Sequence, residues 1–302
     1  MKYGIFGGAV NAGTIDDMVA EAAATESDGF AAYWAPHIFG HDALTALAVV
    51  GSKVPRIELG TSVVPTFPRH PHAIAQQAHT VAAASGNRFT LGIGLSHKIV
   101  IENMLGLSYD KPVRHLREYL SVLMPLSRNE LANFDGEMYH VHAGINAKGS
   151  AGFSVVVAAL GEQMLRVTAA MADGTLTWCT GPVTLAAHTI PTITRAAEEF
   201  GRPAPRVIAA LPVCVTADRD AAAARAAETF AAYGGLPSYR AMLDREGVAG
   251  PADIAIIGTT AEVQDRIGAL AGIGVTDFAA VEFGETPEEV ADTRSALKGL
   301  LS

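Results

Sequence analysis

Eight mainly apolar segments alternate along the chain with stretches in which apolar residues recur at helical spacing. The segments cover residues 3–6, 30–34, 57–64, 89–93, 153–159, 175–178, 207–215 and 278–283. Their apolar residues run continuously instead of alternating with polar ones, which is typical of parallel strands covered on both faces. The pattern predicts an α/β protein, and eight strand–helix units favour a (β/α)8 TIM barrel over an open doubly wound sheet.

Capping residues predict where several helices begin and end. Thr14, Thr259 and Thr286 each precede an acidic residue by three positions, and a threonine hydroxyl there accepts from the amides that open a helix. Gly272 and Gly274 predict the end of the helix before the last strand.

Two insertions interrupt the regular alternation, at about 98–152 after the fourth strand and at about 217–255 after the seventh. The first contains a helix and then a small strand pair that turns at Asp135 and Gly136; the helix has apolar positions Val113, Leu116, Leu120 and Leu123. The second contains an alanine-rich helix, a break at Gly234 and Gly235, and a short helix. We expect residues 1–302 to form a single barrel domain that carries both insertions.

Composition narrows the class of protein. The chain has 302 residues, 49% of them hydrophobic and 18% charged, which favours a globular protein over a disordered one. The formal net charge is −9 with no block of Lys or Arg, which argues against nucleic acid and an anionic membrane surface as partners.

The cellular setting is predicted from the first residues and the cysteines. MKYGIFGG begins a strand directly, and no apolar run reaches membrane-spanning length, so we expect a cytoplasmic protein. Cys179 and Cys214 match no metal-ligand spacing and are expected to be buried free thiols in a reducing compartment.

Barrel enzymes place their sites at the carboxyl ends of the strands, so the residues that follow each apolar segment are the candidates for chemistry. His37 and His97 come directly after the second and fourth segments, where an imidazole can contact a cofactor or transfer a proton near neutral pH. A purely structural role is the alternative. Trp34 and Trp178 are either walls for a planar ligand or ordinary packing residues.

The fifth segment leads through Gly161 directly into a helix that contains Met164. Free amides and the positive dipole end of such a helix favour a phosphate group. An ordinary strand-to-helix turn is the alternative, because one glycine is weaker evidence than a full phosphate-loop motif.

Two kinds of hydrolase fit the chain less well. His70-Pro71-His72 is a possible zinc-chelating motif, but further ligands are missing, since His188 is the only histidine after His142. Residues 69–71 are better interpreted as the start of the next helix. A serine hydrolase is disfavoured because no Gly-x-Ser-x-Gly motif occurs.

The segment RFTLGIGLSH, residues 88–97, contains two glycines where a buried strand ends. Glycine weakens a strand interior, so Gly92 and Gly94 indicate that a ligand or another backbone comes close.

Several motifs resemble the luciferase-like monooxygenase superfamily, over nearly the whole chain. They are Arg69-His70-Pro71 with Ala75 and Gln77, residues 85–94 (SGNRFTLGIG), 106–110 (GLSYD), 117–120 (REYL), 172–174 (ADG) with Trp178, and 257–259 (IGT). Ser96-His97 after the glycine pair resembles the branch that uses the deazaflavin coenzyme F420.

The resemblance implies a (β/α)8 barrel that binds a flavin-type ring at the carboxyl ends of the strands and passes hydride to or from a small organic substrate. It implies that Gly92 and Gly94 give the ring room and that residues 161–164 hold the cofactor's phosphate. Because His37 lies with Ser96, His97 and Gly161 at predicted strand ends, we expect His37 to be the proton donor or acceptor. The implied cofactor contacts are Ser62, Val63, Val64, Gly94, Ser96, His97, Leu160, Gly161, Glu162, Gln163, Met164 and Trp178.

Three further implications follow from the resemblance. F420 members often carry a non-prolyl cis peptide behind the ring, which falls here around 62–65. Many carry Asp before the histidine that closes the second strand, whereas here Pro36 precedes His37, so that carboxylate contact is expected to be lost. A homodimer packed through helices near the second and third strands is also implied.

Three alternatives remain open: an FMN-dependent monooxygenase of the same fold, a flavin-binding barrel without turnover, and a barrel enzyme of unrelated chemistry. The substrate is not predictable, because the residues that select it lie in the insertions.

Overall fold

Parallel strands close into a barrel in the computed structural model, which describes residues 1–301. The strands are β1 (Lys2–Phe6), β2 (Ala32–Ala35), β3 (Glu58–Thr61), β4 (Val64–Pro65), β5 (Phe89–Gly94), β6 (Ala132–Asp135), β7 (His140–Ala143), β8 (Ser154–Val157), β9 (Gly174–Trp178), β10 (Arg206–Val215), β11 (Ile256–Gly258) and β12 (Asp277–Glu282). Within residues 1–301, the closed order is β1–β2–β3–β5–β8–β9–β10–β12–β1. The predicted TIM barrel is confirmed.

Helices connect the strands on the outside of the barrel. They are α1 (Ala9–Ala12), α2 (Ile15–Ser27), α3 (Ala43–Lys53), α4 (Pro71–Ala84), α5 (Pro112–Ser127), α6 (Glu162–Met171), α7 (Pro182–Thr184), α8 (Ile190–Glu199), α9 (Arg219–Thr229), α10 (Ala231–Gly234), α11 (Pro237–Glu246), α12 (Thr260–Gly272) and α13 (Pro287–Gly299), with π-helical turns at Ile99–Met104 and Leu185–Thr189 and a 3-10 turn at Pro251–Ile254. The threonine caps of α2, α12 and α13 are confirmed, each with a reciprocal acidic partner.

The third predicted strand, 57–64, is divided in the structure. It forms β3 and the short β4, which pairs with β5 separately. The division falls at Ser62 and Val63, whose peptide bond is cis, as the family resemblance implied.

Residues 98–152 and 217–255, the two predicted insertions, contain several helices and one strand pair. The first holds the π-helical turn Ile99–Met104, then α5, then an antiparallel pair in which Asp135 of β6 faces His140 of β7. The second holds α9, α10 and α11 and rejoins the barrel at the 3-10 turn.

The barrel interior is filled by side chains. Trp34 is 1% exposed and occupies the space that a Cβ at Gly60 would need, 2.2 Å from its ring. Trp34 is therefore a packing residue of the interior and does not form a wall of the mouth.

An ion-pair cluster closes the amino-terminal end of the barrel, called the floor below. Arg206 at the start of β10 binds Glu58 of β3 and Asp277 of β12, each at 2.6 Å. Burial alone lowers the pKa of Arg206, but its hydrogen bonds to the two carboxylates raise it overall. Cys179 and Cys214 are both buried free thiols, as predicted. No helix within residues 1–301 has the length and apolar character needed to cross a bilayer.

Candidate active site

His37 lies at the carboxyl end of β2, in the opening of the barrel that is called the mouth below. Its side chain is 14% exposed, and its Nδ1 accepts a hydrogen bond from the backbone N–H of Ala43, the first residue of α3, at 3.2 Å. A donor also faces Nε2, since Nη1 of Arg69 lies 3.4 Å from it. The shorter contact is the one from the Ala43 amide, so we assign the proton of the neutral ring to Nε2. Burial lowers the pKa of His37 and the Arg69 guanidinium lowers it further, while the Asp42 carboxylate opposes both effects.

The carboxylate contact expected to be lost at Pro36 is partly replaced from another position. Asp42 Oδ2 lies 3.9 Å from Nδ1 of His37 and 2.5 Å from Nη2 of Arg69. Its Oδ1 caps α3 by accepting from the amide of Thr45 at 2.8 Å. Asp42 thus joins the start of α3 to Arg69, in the loop before α4.

The two glycines of β5 lie close to the neighbouring chain segment 61–63. A Cβ at Gly92 would lie 1.9 Å from the carbonyl oxygen of Thr61, and one at Gly94 would lie 2.7 Å from Cγ2 of Val63. Neither position has space for a Cβ, so both glycines are needed for the close approach of Thr61 and Val63 to β5.

The segment after β5 places two candidate side chains at the mouth. Ser96 adopts a positive φ of 60°, and its carbonyl accepts from the Tyr109 hydroxyl at 3.4 Å. The ring of His97 lies 5.5 Å from that of Tyr239, on α11 of the second insertion. Burial lowers the pKa of His97, which keeps this imidazole neutral at physiological pH.

A cluster of aromatic side chains surrounds Trp178 at the mouth. Trp178, at the end of β9, stacks on Phe6 with ring centroids 6.0 Å apart and meets Phe230 and Tyr233 edge-on at 5.6 Å. Tyr233 in turn meets Tyr239 at 5.3 Å. The second insertion is thereby packed onto the rim of the barrel by apolar contacts.

The start of α6 offers unpaired backbone donors. Gly161 is its N-cap with no side-chain cap, and no described residue accepts from the amides of Glu162, Gln163 or Met164. A Cβ at Gly161 would meet no described heavy atom within 4 Å. The positive dipole end of α6 is therefore open to an anionic group.

The sequence profile of the luciferase-like monooxygenase family matches residues 1–300. The chain belongs to that family. A Mycobacterium tuberculosis protein provisionally named a coenzyme F420-dependent oxidoreductase is 40% identical over 101 residues, which are 33% of this chain and 29% of that protein. The 5,10-methylenetetrahydromethanopterin reductase of Methanolobus tindarius is 28% identical over 254 residues, or 83% of this chain and 77% of the reductase.

A solved structure extends the likeness to the whole chain. The coenzyme F420 dependent tetrahydromethanopterin reductase from Methanopyrus kandleri matches with a TM-score of 0.82 at 20% identity, over 99% of this chain and 97% of the reductase. At that identity the match shows a shared fold.

The predicted contact residues divide into two groups by their surroundings. Ser62, Val63, Ser96, His97 and Trp178 are half-buried around the mouth, and residues 161–163 are exposed at the start of α6. In contrast, Val64 is fully buried in the core, so none of its atoms is exposed to a ligand. The Leu160 carbonyl is already bonded to Nε2 of His188 at 2.9 Å, and Met164 packs partly against the core.

Sequence reasoning missed the contacts of Asp42 and Arg69 with His37. Residues 69–71 were correctly assigned to a helix start, since His70 caps α4 and Pro71 is its first residue. Nothing in the spacing showed that the Arg69 side chain reaches back to the end of β2. The Asp42 cap before an apolar run was the one available signal.

Proposed function

We propose that this protein is an F420-dependent oxidoreductase that passes a hydride between the deazaflavin ring and a small organic substrate at the barrel mouth. The observation that carries the proposal is the open N-terminus of α6 at the same end of the barrel as His37 and the bulge at Ser62 and Val63. The names of the relatives support F420 as the cofactor.

The start of α6 has the chemistry that a cofactor phosphate requires. Three consecutive amides lack acceptors among the described residues, and Gly161 leaves space in front of them. Glu162 adds a negative charge in the first turn, but it interacts with the positive charge of Arg166 one turn later. Residues 161–164 would therefore hold the phosphate through their backbone.

The ring would lie between the bulge and the side chains of Ser96, His97 and Trp178. These groups offer apolar contact with a few polar atoms, which suits a planar ring with carbonyl edges. When bound, F420 supplies the hydride chemistry, and the protein supplies position and electrostatics.

We assign the catalytic contact with the substrate to His37. Its Nε2 is the ring nitrogen that the Ala43 amide leaves free, so it can hydrogen-bond the substrate oxygen at which a proton arrives or leaves. Replacing His37 with Gln should lower kcat by roughly 10²-fold, the usual contribution of a donor that stabilises developing negative charge, and leave F420 affinity unchanged. Unchanged turnover in stopped-flow assays of the variant would remove His37 from the mechanism.

The cofactor is tested by titrating the protein separately with oxidised F420 and with FMN, following each cofactor's own fluorescence. Saturable quenching of F420 with no response to FMN is the expected result. Binding of FMN alone would replace the proposal with a flavin monooxygenase, and binding of neither would overturn it. Binding of F420 without reduction of any acceptor would favour a cofactor-binding barrel.

We further propose that the chain acts in the cytoplasm as a homodimer, on the support of the family resemblance. Light scattering at micromolar concentration should give twice the chain's mass of 31.4 kDa. A monomer mass would contradict the dimer.

A further inference from the structure

Arg69 directs a second hydrogen-bond donor to the same place as His37. Its Nη2 is bound to Asp42 at 2.5 Å, and its Nη1 lies 3.4 Å from Nε2 of His37. The Arg69 side chain is 21% exposed. The guanidinium is therefore fixed at one end and faces the imidazole at the other.

The contact between Arg69 and His37 brings together two groups that both donate. The Ala43 amide occupies the lone pair on Nδ1, so the neutral ring carries its hydrogen on Nε2, the atom that faces Nη1. Arginine has donors only. With Nδ1 as the acceptor for Ala43, Nε2 cannot also accept from Nη1, and no oxygen of the described residues is hydrogen-bonded to either atom.

We propose that Arg69 is a second catalytic residue, whose Nη1 forms with Nε2–H of His37 a two-donor site for the carbonyl oxygen of the substrate. The substrate class is then a ketone or aldehyde, or the matching alcohol in the reverse direction. Asp42 is a positioning residue, because it touches only Arg69, His37 and the start of α3.

Reduction of a carbonyl group would use both donors of this site. In the reducing direction a hydride adds to the carbonyl carbon, and the C=O π pair moves onto the oxygen. The two donors stabilise the developing negative charge, and a proton from water completes the hydroxyl. This inference rests on the proposed function for the source of the hydride.

The charges around the pair agree with this role. His37 faces Arg69 from the loop before α4 and Asp42 from the start of α3, and its pKa is lowered by burial and by Arg69. His41, on the same loop, bonds to the Gly13 carbonyl instead. On α5, the charge of Arg69 also acts on the buried Tyr119, whose pKa burial nevertheless raises. His37 therefore remains a neutral donor at physiological pH.

The test uses acetate as an oxyanion mimic and needs neither F420 nor turnover. The ¹⁵N resonances of the His37 ring, assigned by loss in His37→Gln, are followed at pH 7.5 as sodium acetate replaces sodium chloride at constant ionic strength. The wild-type protein should show a saturable shift at Nε2. Arg69→Gln should lose it, and Arg69→Lys, which keeps a cationic donor, should recover part of it.

Matched controls separate the site from folding and from net charge. Arg114→Gln removes an arginine that is paired with Glu137 on the first insertion and should leave the acetate response intact. In Arg69→Gln the pKa of His37 should also rise, because the cation that lowers it in the wild-type protein is gone. Each variant is checked by thermal melting before titration.

Two results would overturn the inference: no acetate shift at His37 in the wild-type protein, or the same shift in Arg69→Gln as in wild type. Because the measurement is made without cofactor, a failure here leaves the F420 titration as a separate test of the proposed function.

Discussion

Polar groups at the two ends of the barrel differ in whether they have hydrogen-bond partners. At the floor, Arg206 satisfies Glu58 and Asp277 together, and Thr90 donates to Glu58. At the mouth, the amides that open α6 and the facing donors of His37 and Arg69 lack acceptors among the described residues. Satisfied groups stabilise a fold, whereas donors held in place without acceptors are ready for a ligand.

The floor has a cavity of its own. A cavity of about 580 Å³ opens at the floor, and its lining includes Lys2, Arg56, Arg88 and Arg206. These cations are already engaged: Lys2 and Arg206 with Glu58, Arg56 with Glu26, and Arg88 with three backbone carbonyls. The floor therefore contributes to stability, and the chemistry belongs at the mouth.

The largest expected effect comes from breaking the floor cluster. Arg206→Ala should lower the free energy of unfolding by about 3–5 kcal/mol, because two carboxylates lose their shared partner. Urea denaturation measures the loss. Arg56→Ala, at the same end but with a side chain 73% exposed, should cost less than about 1 kcal/mol. A weakened F420 affinity in folded Arg206→Ala would contradict the division between the two ends.

An intermediate effect is expected at the start of α6, where one substitution should weaken F420 binding without lowering the stability of the fold. Gly161→Asp places a carboxylate cap on the free amides, and the backbone there (φ −76°, ψ 153°) accepts any residue. F420 affinity should fall by about 10-fold or more through competition and repulsion of the phosphate. The melting temperature should stay the same or rise, since aspartate is a favoured cap.

Gly161→Ala provides the control, because it adds a side chain without a charge or an acceptor. Fluorescence titration should show a smaller loss of F420 affinity than in Gly161→Asp. Equal affinities for both variants would remove the electrostatic explanation.

A smaller effect is expected at Glu282, on the outer face of β12. Burial raises its pKa to about 7, although Arg294 lowers it, and its Oε1 is buried without a partner among the described residues. A carboxyl whose pKa is higher in the folded state stabilises the fold while protonated. That stability is lost as pH rises from about 4.5 to about 7.

Glu282→Gln should remove this dependence. The difference in unfolding free energy between the variant and wild type should shift in favour of the variant by on the order of 2 kcal/mol between pH 4.5 and pH 8. Urea denaturation at several pH values measures it. Parallel pH curves for the two proteins would show that Glu282 does not titrate in this range.

Features that depend on local sequence could be predicted, whereas contacts between distant segments could not. Strands, caps and insertions depend on local periodicity and on residues such as Thr259 and Thr286, so they were predictable. Gly92 and Gly94 were correctly identified as places of close approach, but a glycine does not show whether a ligand or a strand is the neighbour. In three dimensions the Thr61 carbonyl and the Val63 side chain are neighbours of these glycines, and their contact with a cofactor ring stays a prediction.

The site was only partly predictable because its contacts join distant elements. His37 followed from its place after a strand, whereas the contact of Arg69 with it spans 32 positions. The packing of His97 against Tyr239 depends likewise on how the second insertion folds over the rim. Such contacts follow from barrel closure and leave no local pattern.

The most direct test of the account is an amide ¹H–¹⁵N spectrum recorded while F420 is added to the wild-type protein. We expect the largest shifts at Glu162, Gln163 and Met164, with smaller ones at Val63, Ser96 and His97, and none at Lys2, Arg56 or Arg88. Shifts centred on the floor residues, or no shift at the start of α6, would contradict the assignment of the cofactor to the mouth.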